Sequence, residues 1–136
     1  MRSINLTLLT DLYEITMMQG YFETDKQDIV VFDAFYRENP CGGGYAVAAG
    51  LEQGIEYITT LQFSTDDIRY LESLNLFNED FIKYLSTFRF SGSIYSVPEG
   101  TIIFPREPFI KVVAPIMEAQ LVETAILNIM NHQSLI

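Results

Sequence analysis

Arg37 is the first residue whose type and position in the sequence suggest chemistry. It ends a β-branched and aromatic stretch and precedes three successive glycines, Gly42, Gly43 and Gly44. A guanidinium group is planar and permanently charged, so an arginine beside a glycine turn suits a phosphate group. Residue type alone favours a plainer explanation, which is a solvated strand end or a salt bridge elsewhere. The sequence pattern leaves both explanations open.

The glycine run is weaker evidence for a phosphate site. It lacks the Gly-Lys-Ser/Thr ending of a P-loop, and its spacing does not fit Gly-x-Gly-x-x-Gly. A turn that needs positive φ or a close backbone approach explains it better. Cys41 precedes this run and is the single cysteine of the chain, which excludes an intrachain disulfide. We therefore expect Cys41 to be a free thiol in a turn.

Asp11 and Tyr13 form a second candidate pair. Thr10 and Asp11 can cap a helix predicted over residues 11–19, with Gly20 as its stop. On an ideal helix Asp11 and Tyr13 are about 200° apart, so they reach one ligand only if Asp11 lies at the uncoiled start. The pattern alone favours a packed core or interface tyrosine. The apolar residues at helical spacing, which we expect to be buried, are Leu8, Leu12, Ile15, Met18 and Phe22.

Composition excludes several classes of protein. The 136 residues carry a formal charge of −10, which opposes nucleic-acid and anionic-membrane partners because both need clustered Lys and Arg. The chain lacks an apolar run of the ~20 residues that a membrane span needs, so a cytoplasmic location is expected. One cysteine and one histidine cannot form a zinc cluster. His132 is more readily explained by solvent or a backbone partner than by catalysis.

The remaining elements must position these residues. Residues 29–36 are predicted to form a strand whose Val30, Phe32, Ala34 and Tyr36 share an apolar face. A helix is predicted over residues 45–61, and a second begins at a capping box formed by Ser64. A third, short helix is capped by Asn78 and ends before Arg89. Residues 93–97, 101–104 and 109–114 read as three short strands joined by turns.

Pro115 suits the first turn of a last helix, which is apolar on most sides and therefore expected to be buried nearly all round. Neither glycine nor proline caps this helix before residue 136. We therefore expect the sequence to be a fragment that is cut off before its packing partner.

Several long ungapped segments resemble the N-terminal portion of the nicotinate phosphoribosyltransferase family. They span the whole chain in the family's order, and ungapped runs of this length are a specific signal. Cys41 departs from the pattern, since the family typically has phenylalanine there, which affects only local packing. The segments are residues 9–21, which read Leu-Thr-Asp-Leu-Tyr-Glu-Ile-Thr-Met-Met-Gln-Gly-Tyr, then residues 35–51, 97–104 and 118–131.

The resemblance implies an α+β fold: an N-terminal α/β sandwich domain of a type II phosphoribosyltransferase, with mostly antiparallel short strands and flanking helices. It implies that residues 1–136 are this domain, with the link into a barrel-like domain starting at about residues 115–136. A complete (β/α)₈ barrel takes about 250 residues and cannot lie within this chain. The implied reaction joins nicotinate to 5-phosphoribosyl 1-diphosphate in NAD salvage, giving nicotinate mononucleotide and diphosphate.

The resemblance also implies ATP hydrolysis coupled through a phosphorylated histidine, with Mg²⁺. That histidine lies beyond Ile136 and is not His132. The chain alone is therefore expected to bind none of these cofactors and to be inactive. No catalytic or metal-binding residue is assigned to it.

By the same resemblance, Tyr13 matches the tyrosine that stacks on the pyridine ring. Asp11 matches the aspartate just before that tyrosine, and Arg37 matches the arginine that reaches substrate phosphates. A homodimer is implied, with the tyrosine supplied by the neighbouring subunit. Two alternatives stay open: a relative specific for nicotinamide or quinolinate, and a non-catalytic assembly module.

Overall fold

The computed structural model describes residues 5–136, which form an α+β fold, as predicted. It contains five α-helices and five short strands. The strands pair antiparallel, and residues 5–136 contain no closed barrel. The helices are α1 (Leu12–Glu23), α2 (Leu51–Thr60), α3 (Thr65–Ser73), α4 (Glu79–Ser86) and α5 (Ile116–Leu135). The strands are β1 (Ile29–Ala34), β2 (Ala46–Val47), β3 (Ser93–Ser96), β4 (Ile102–Ile103) and β5 (Ile110–Pro115).

The larger sheet has the order β1-β5-β3, with the most buried strand in the centre. Phe32, Val112 and Ile94 lie opposite one another across the three strands. They pack into the core, while Val31 and Tyr95 are exposed on the other face. The predicted period of two along β1 is therefore confirmed. The register also places Asp33 opposite Lys111 on the outer face.

Helix α5 packs against the inner face of this sheet and against α1. The run of residues 117–122 is buried on every side, as the apolar pattern predicted. The second half of the helix departs from that prediction, because Leu127, Asn128 and Asn131 are exposed. Whether residues 115–136 also lead into a second domain stays a prediction.

Two expectations for α1 are wrong. The helix ends at Glu23 and passes through Gly20, where a Cβ atom would meet nothing within 4 Å, so glycine here neither stops the helix nor is required by space. Leu12 is 47% exposed, although Ile15 and Met18 of the same predicted stripe are buried. The first turn of α1 rests on α5 through Glu14 instead, which leaves Leu12 on the outer side.

The predicted helix over residues 45–61 is only partly correct. Residues 46–47 form β2, which pairs with β4 in a separate two-stranded sheet, and the helix begins at Leu51. Gly50 lies between the two elements, at the start of α2. Its φ of +103° is in the left-handed region, which glycine adopts without steric cost. The carboxylate of Glu99 then accepts hydrogen bonds from the backbone N–H groups of Gly50 and Leu51, at 2.7 and 2.8 Å.

The next two helices begin where the sequence predicted. The hydroxyl of Ser64 accepts from the Asp67 N–H, and the Asp67 carboxylate accepts from the Ser64 N–H, which completes the capping box. Asn78 caps α4 by accepting from the Phe81 N–H at 2.8 Å. The helices found within residues 5–136 are too short or too polar to cross a membrane.

Candidate functional site

Asp11 stands just before α1 with an extended backbone, φ −77° and ψ 143°, so it lies at the uncoiled start of the helix. Its side chain makes no capping hydrogen bond, which corrects the expectation that it caps α1. The Asp11 Oδ2 atom instead lies 3.5 Å from the Thr124 hydroxyl of α5, at the long limit for a hydrogen bond. The carboxylate is therefore turned towards the middle of α5.

Tyr13 lies in the first turn of α1 and its side chain is 53% exposed, so it is not a packed core tyrosine. The interface position that the pattern also favoured stays a prediction. Leu9, Leu12 and Met17, which are near Tyr13 in the sequence, are exposed too. The negative charge of Glu14, followed by burial and by Glu123 and Asp11, raises the pKa of the Tyr13 phenol. At neutral pH the ring therefore carries a protonated hydroxyl in a negative environment.

Glu14 is a residue that the sequence analysis missed. It is completely buried, and its carboxylate accepts hydrogen bonds from the hydroxyls of Thr10 and of Thr124, the latter at 2.7 Å. Burial raises the pKa of this carboxyl, although the two hydroxyls act in the opposite direction. The available signal was spacing, because Glu14 precedes the buried Met18 by one helical turn.

Arg37 follows β1 and is exposed. It lines a cavity of about 440 Å³ together with Tyr36, Leu127, Asn131 and other residues of the second half of α5. Within residues 5–136, Arg37 has no carboxylate within salt-bridge distance. Its guanidinium group is therefore available to an anion.

The loop that carries Arg37 is anchored at its base. The hydroxyl of Tyr36 lies 2.8 Å from the carbonyl oxygen of Ile103 and 2.8 Å from Asn39 Oδ1. The carbonyl of Tyr36 accepts from the Arg106 N–H at 2.8 Å. A short 3₁₀ turn, Pro40–Gly42, follows, with φ of +55° at Cys41 and +70° at Gly42. The predicted turn and the exposed free thiol of Cys41 are both confirmed.

Asp11 and Tyr13 are brought together, whereas Arg37 occupies a different place along α5. The first two lie near Glu123 and Thr124, and Arg37 faces residues from Leu127 onwards. Thr124 and Asn131 are seven positions apart, or about 10 Å along a helix that rises 1.5 Å per residue. The exposed side chains of α5 between them connect the two parts of the candidate site.

Neither His132 nor a metal cluster contributes to this arrangement. His132 is exposed near the end of α5, with no hydrogen bond or ion pair found for its side chain within the described part of the chain. Across residues 5–136, His, Cys, Asp and Glu side chains form no group of three or more that could hold a metal ion. The described residues therefore do not fit Mg²⁺ by themselves.

Comparison with known sequences identifies relatives along nearly the whole chain. Residues 8–131 match the family described as nicotinate phosphoribosyltransferase (NAPRTase) N-terminal domain. Nicotinate phosphoribosyltransferase pncB2 of Mycobacterium tuberculosis is 44% identical over 129 residues, which cover 95% of this chain and 28% of that protein. The Bacillus subtilis nicotinate phosphoribosyltransferase is 46% identical over 133 residues, covering 97% of this chain and 27% of the relative. The chain thus spans little more than a quarter of these relatives.

Solved structures agree on the fold. The human nicotinic acid phosphoribosyltransferase structure superposes with a TM-score of 0.84 at 31% identity, covering 93% of this chain and 26% of that one. A nicotinate-nucleotide pyrophosphorylase from Pyrococcus furiosus superposes with a TM-score of 0.68 over 96% of this chain and 26% of that one. Its identity is 17%, so it supports the fold alone.

Proposed function

Because the chain belongs to the nicotinate phosphoribosyltransferase family, we propose that the complete protein transfers the phosphoribosyl group of 5-phosphoribosyl 1-diphosphate to nicotinate. The products are nicotinate mononucleotide and diphosphate, and the role is NAD salvage in the cytoplasm. The proposal rests on the match over residues 8–131, which contains Asp11, Tyr13 and Arg37.

The proposal includes coupling to ATP hydrolysis through a phosphorylated histidine, with Mg²⁺. We assign this histidine to the sequence that follows Ile136 in the complete protein, because the exposed His132 lies outside the candidate site. The described residues offer no metal-binding group, so the Mg²⁺ ligands also belong to the rest of the protein. No step of the chemistry is assigned to ATP or Mg²⁺ within this chain.

Tyr13 is proposed to stack on the pyridine ring, with Asp11 beside it. The ring nitrogen acquires positive charge as it bonds to C1 of the ribose. An aromatic face and nearby carboxylates favour a cation, and the negative charges of Glu14, Glu123 and Asp11 act on the Tyr13 phenol. Stacking also fixes the direction from which the nitrogen attacks. The half-exposed ring of Tyr13 supports this role, since it is accessible to a ligand.

Arg37 is proposed to bind phosphate oxygens of the phosphoribosyl donor. A guanidinium can make charge-assisted hydrogen bonds to two oxygens at once, which holds the donor and stabilises the departing diphosphate. The chain carries 18 acidic and 8 basic residues, so Arg37 needs further cations to hold a diphosphate. We propose that these come from the remainder of the protein or from a second subunit.

A homodimer with a shared site is the form of the protein that we propose. The exposed face around Tyr13, together with Leu9, Leu12 and Met17, supports a covered surface in the assembly. Tyr13 and Arg37 also lie at different positions along α5, as expected if each completes a site with residues of the other copy. In that arrangement the tyrosine acts in trans.

The test is a product assay with the complete protein. Nicotinate and 5-phosphoribosyl 1-diphosphate, with and without ATP and Mg²⁺, should give nicotinate mononucleotide, detected by chromatography. Nicotinamide and quinolinate serve as competing substrates, and a higher kcat/KM for either would replace the nicotinate assignment. Residues 1–136 alone should form no product, because the described residues supply neither a barrel nor the phosphorylated histidine. Product formation by this piece would place the chemistry within it.

A further inference from the structure

Glu14 is a buried acid next to two candidate substrate-binding residues, in a place where an apolar side chain would cost less to bury. It is completely buried on α1, where it contacts Thr124 of α5. Removing a carboxylate from water is expensive unless hydrogen bonds compensate. Both of its oxygens are engaged, one by the hydroxyl of Thr10 and the other by that of Thr124.

The first turn of α1 lacks the usual local restraint. No side chain caps the helix, and Asp11 at the capping position turns its carboxylate towards Thr124 instead. A helix start without a cap frays more readily. The hydrogen bonds of Glu14 therefore hold this turn. The bond from Thr10 ties it to the segment just before α1, and the bond from Thr124 ties it to α5.

Tyr13 depends on the same turn. Its ring is half exposed, and its neighbour in sequence is Glu14. The direction of a helical side chain is set by the backbone of the turn that carries it. Any movement of the first turn relative to α5 therefore displaces the ring, together with Asp11.

We propose that Glu14 is a positioning residue: through Thr10 and Thr124 it locks the first turn of α1 onto α5 and so sets the location of Tyr13 and Asp11 for the pyridine substrate. This inference rests on the proposed function for the identity of that substrate. Glu14 itself makes no contact with substrate or with reacting atoms.

A second buried acid supplies a matched control. Glu118 is also buried in α5, and its carboxylate accepts from the N–H and the hydroxyl of Ser91 and from the N–H of Gly92. These bonds tie α5 to the segment before β3 and do not reach α1. Glu118→Gln should lower the melting temperature without affecting Tyr13.

The experiment compares Glu14→Ala, Glu14→Gln and Thr124→Val with Glu118→Gln in the complete protein. Losing one hydrogen bond corresponds to roughly a two- to tenfold change in affinity. Glu14→Ala and Thr124→Val should raise KM for nicotinate by this factor and leave KM for 5-phosphoribosyl 1-diphosphate unchanged. Glu14→Gln should retain the wild-type KM, because an amide can accept from one hydroxyl and donate to the other.

Hydrogen exchange gives a readout that does not need activity. The amides of residues 12–16 should exchange faster in Glu14→Ala and Thr124→Val than in wild type, Glu14→Gln or Glu118→Gln. Thr124→Val nearly preserves volume, so it keeps the test valid if Glu14→Ala fails to fold. The proposal is overturned if these amides keep their protection, or if Glu118→Gln raises KM for nicotinate as much as Thr124→Val does. An inactive wild type with the expected exchange pattern would remove the proposed function and leave the positioning role.

Discussion

Thr124 and Glu14 join the middle of α5 to the first turn of α1, with the Thr124 hydroxyl donating to Glu14 Oε1 across 2.7 Å. The two residues are 110 positions apart in the sequence. Asp11 and Tyr13 are close to this contact in the sequence of α1 and its start, so a long-range bond lies next to the two residues that we propose for the pyridine ring.

The charge of Glu14 should make stability depend on pH. Burial, with smaller contributions from Glu123 and Asp11, raises its pKa above the ordinary value of 4.5. The folded state then holds this proton more tightly than the unfolded chain. The resulting stabilisation is complete below the unfolded pKa and is lost as the pH rises through the folded pKa. Glu14→Gln should therefore gain melting temperature relative to wild type as the pH rises from acid to neutral. Melting curves at several pH values measure this, and a constant difference would contradict it.

Arg37→Ala should weaken binding of the phosphoribosyl donor. A hydrogen bond between charged groups is worth roughly a ten- to a hundredfold change in affinity. KM for 5-phosphoribosyl 1-diphosphate should rise by that factor in the complete protein, and KM for nicotinate should change less. Arg69→Ala is the control, because Arg69 is an exposed arginine paired only with Asp66, one turn earlier on α3. If both substitutions changed KM for 5-phosphoribosyl 1-diphosphate equally and only slightly, Arg37 would be a solvated surface residue without a role in binding.

Tyr13→Ala should lower affinity for nicotinate without unfolding the protein. Aromatic stacking corresponds to about a two- to tenfold change beyond the area that is buried. Tyr13→Phe should retain most of the affinity, because the ring face remains. Tyr70 on α3 is similarly exposed, at 56%, and Tyr70→Ala should leave KM for nicotinate as it is. Steady-state kinetics and a melting curve for each variant decide the matter.

Mixing subunits tests whether Tyr13 acts in trans. A Tyr13→Ala chain and a chain inactivated at the phosphorylated histidine each lack one part of the proposed site. If the tyrosine crosses the interface, a hybrid dimer contains one intact site and regains activity. Exchange of subunits is verified with two affinity tags. No recovery in verified hybrids would mean that Tyr13 acts within its own chain.

Two glycines should respond to alanine in opposite directions. Gly20 lies within α1, where an added Cβ atom would meet nothing within 4 Å. Gly20→Ala should therefore stabilise the folded protein by about 0.5–1 kcal/mol. At Gly92 the Cβ would lie 2.4 Å from the Ala114 Cβ and 2.8 Å from the Val113 carbonyl oxygen. Gly92→Ala should therefore cost about 1–3 kcal/mol as overpacking. Melting temperatures that move the same way for both would contradict this account.

Local sequence determined much of this protein. Ser64, Asp67 and Asn78 cap their helices through side chains that reach backbone groups three residues away, so pattern alone located α3 and α4. The period of two along β1 sorted its faces correctly. The segments that carry the family resemblance also predicted the fold class and the family. In each case the deciding residues are neighbours in the chain.

Only the tertiary structure decided what depends on distant residues. Glu99 caps the start of α2 although it lies 49 positions after Gly50. Residues 46–47, which were predicted as helix, instead form β2 by pairing with β4. Glu14 lies one helical turn before the buried Met18, but a charged residue type normally belongs at the surface. The cost of burying its carboxylate is offset in part by a hydrogen bond from the hydroxyl of Thr124, which is distant in the sequence. Hydrogen bonds across such separations form only after the chain has folded, and no local pattern records them.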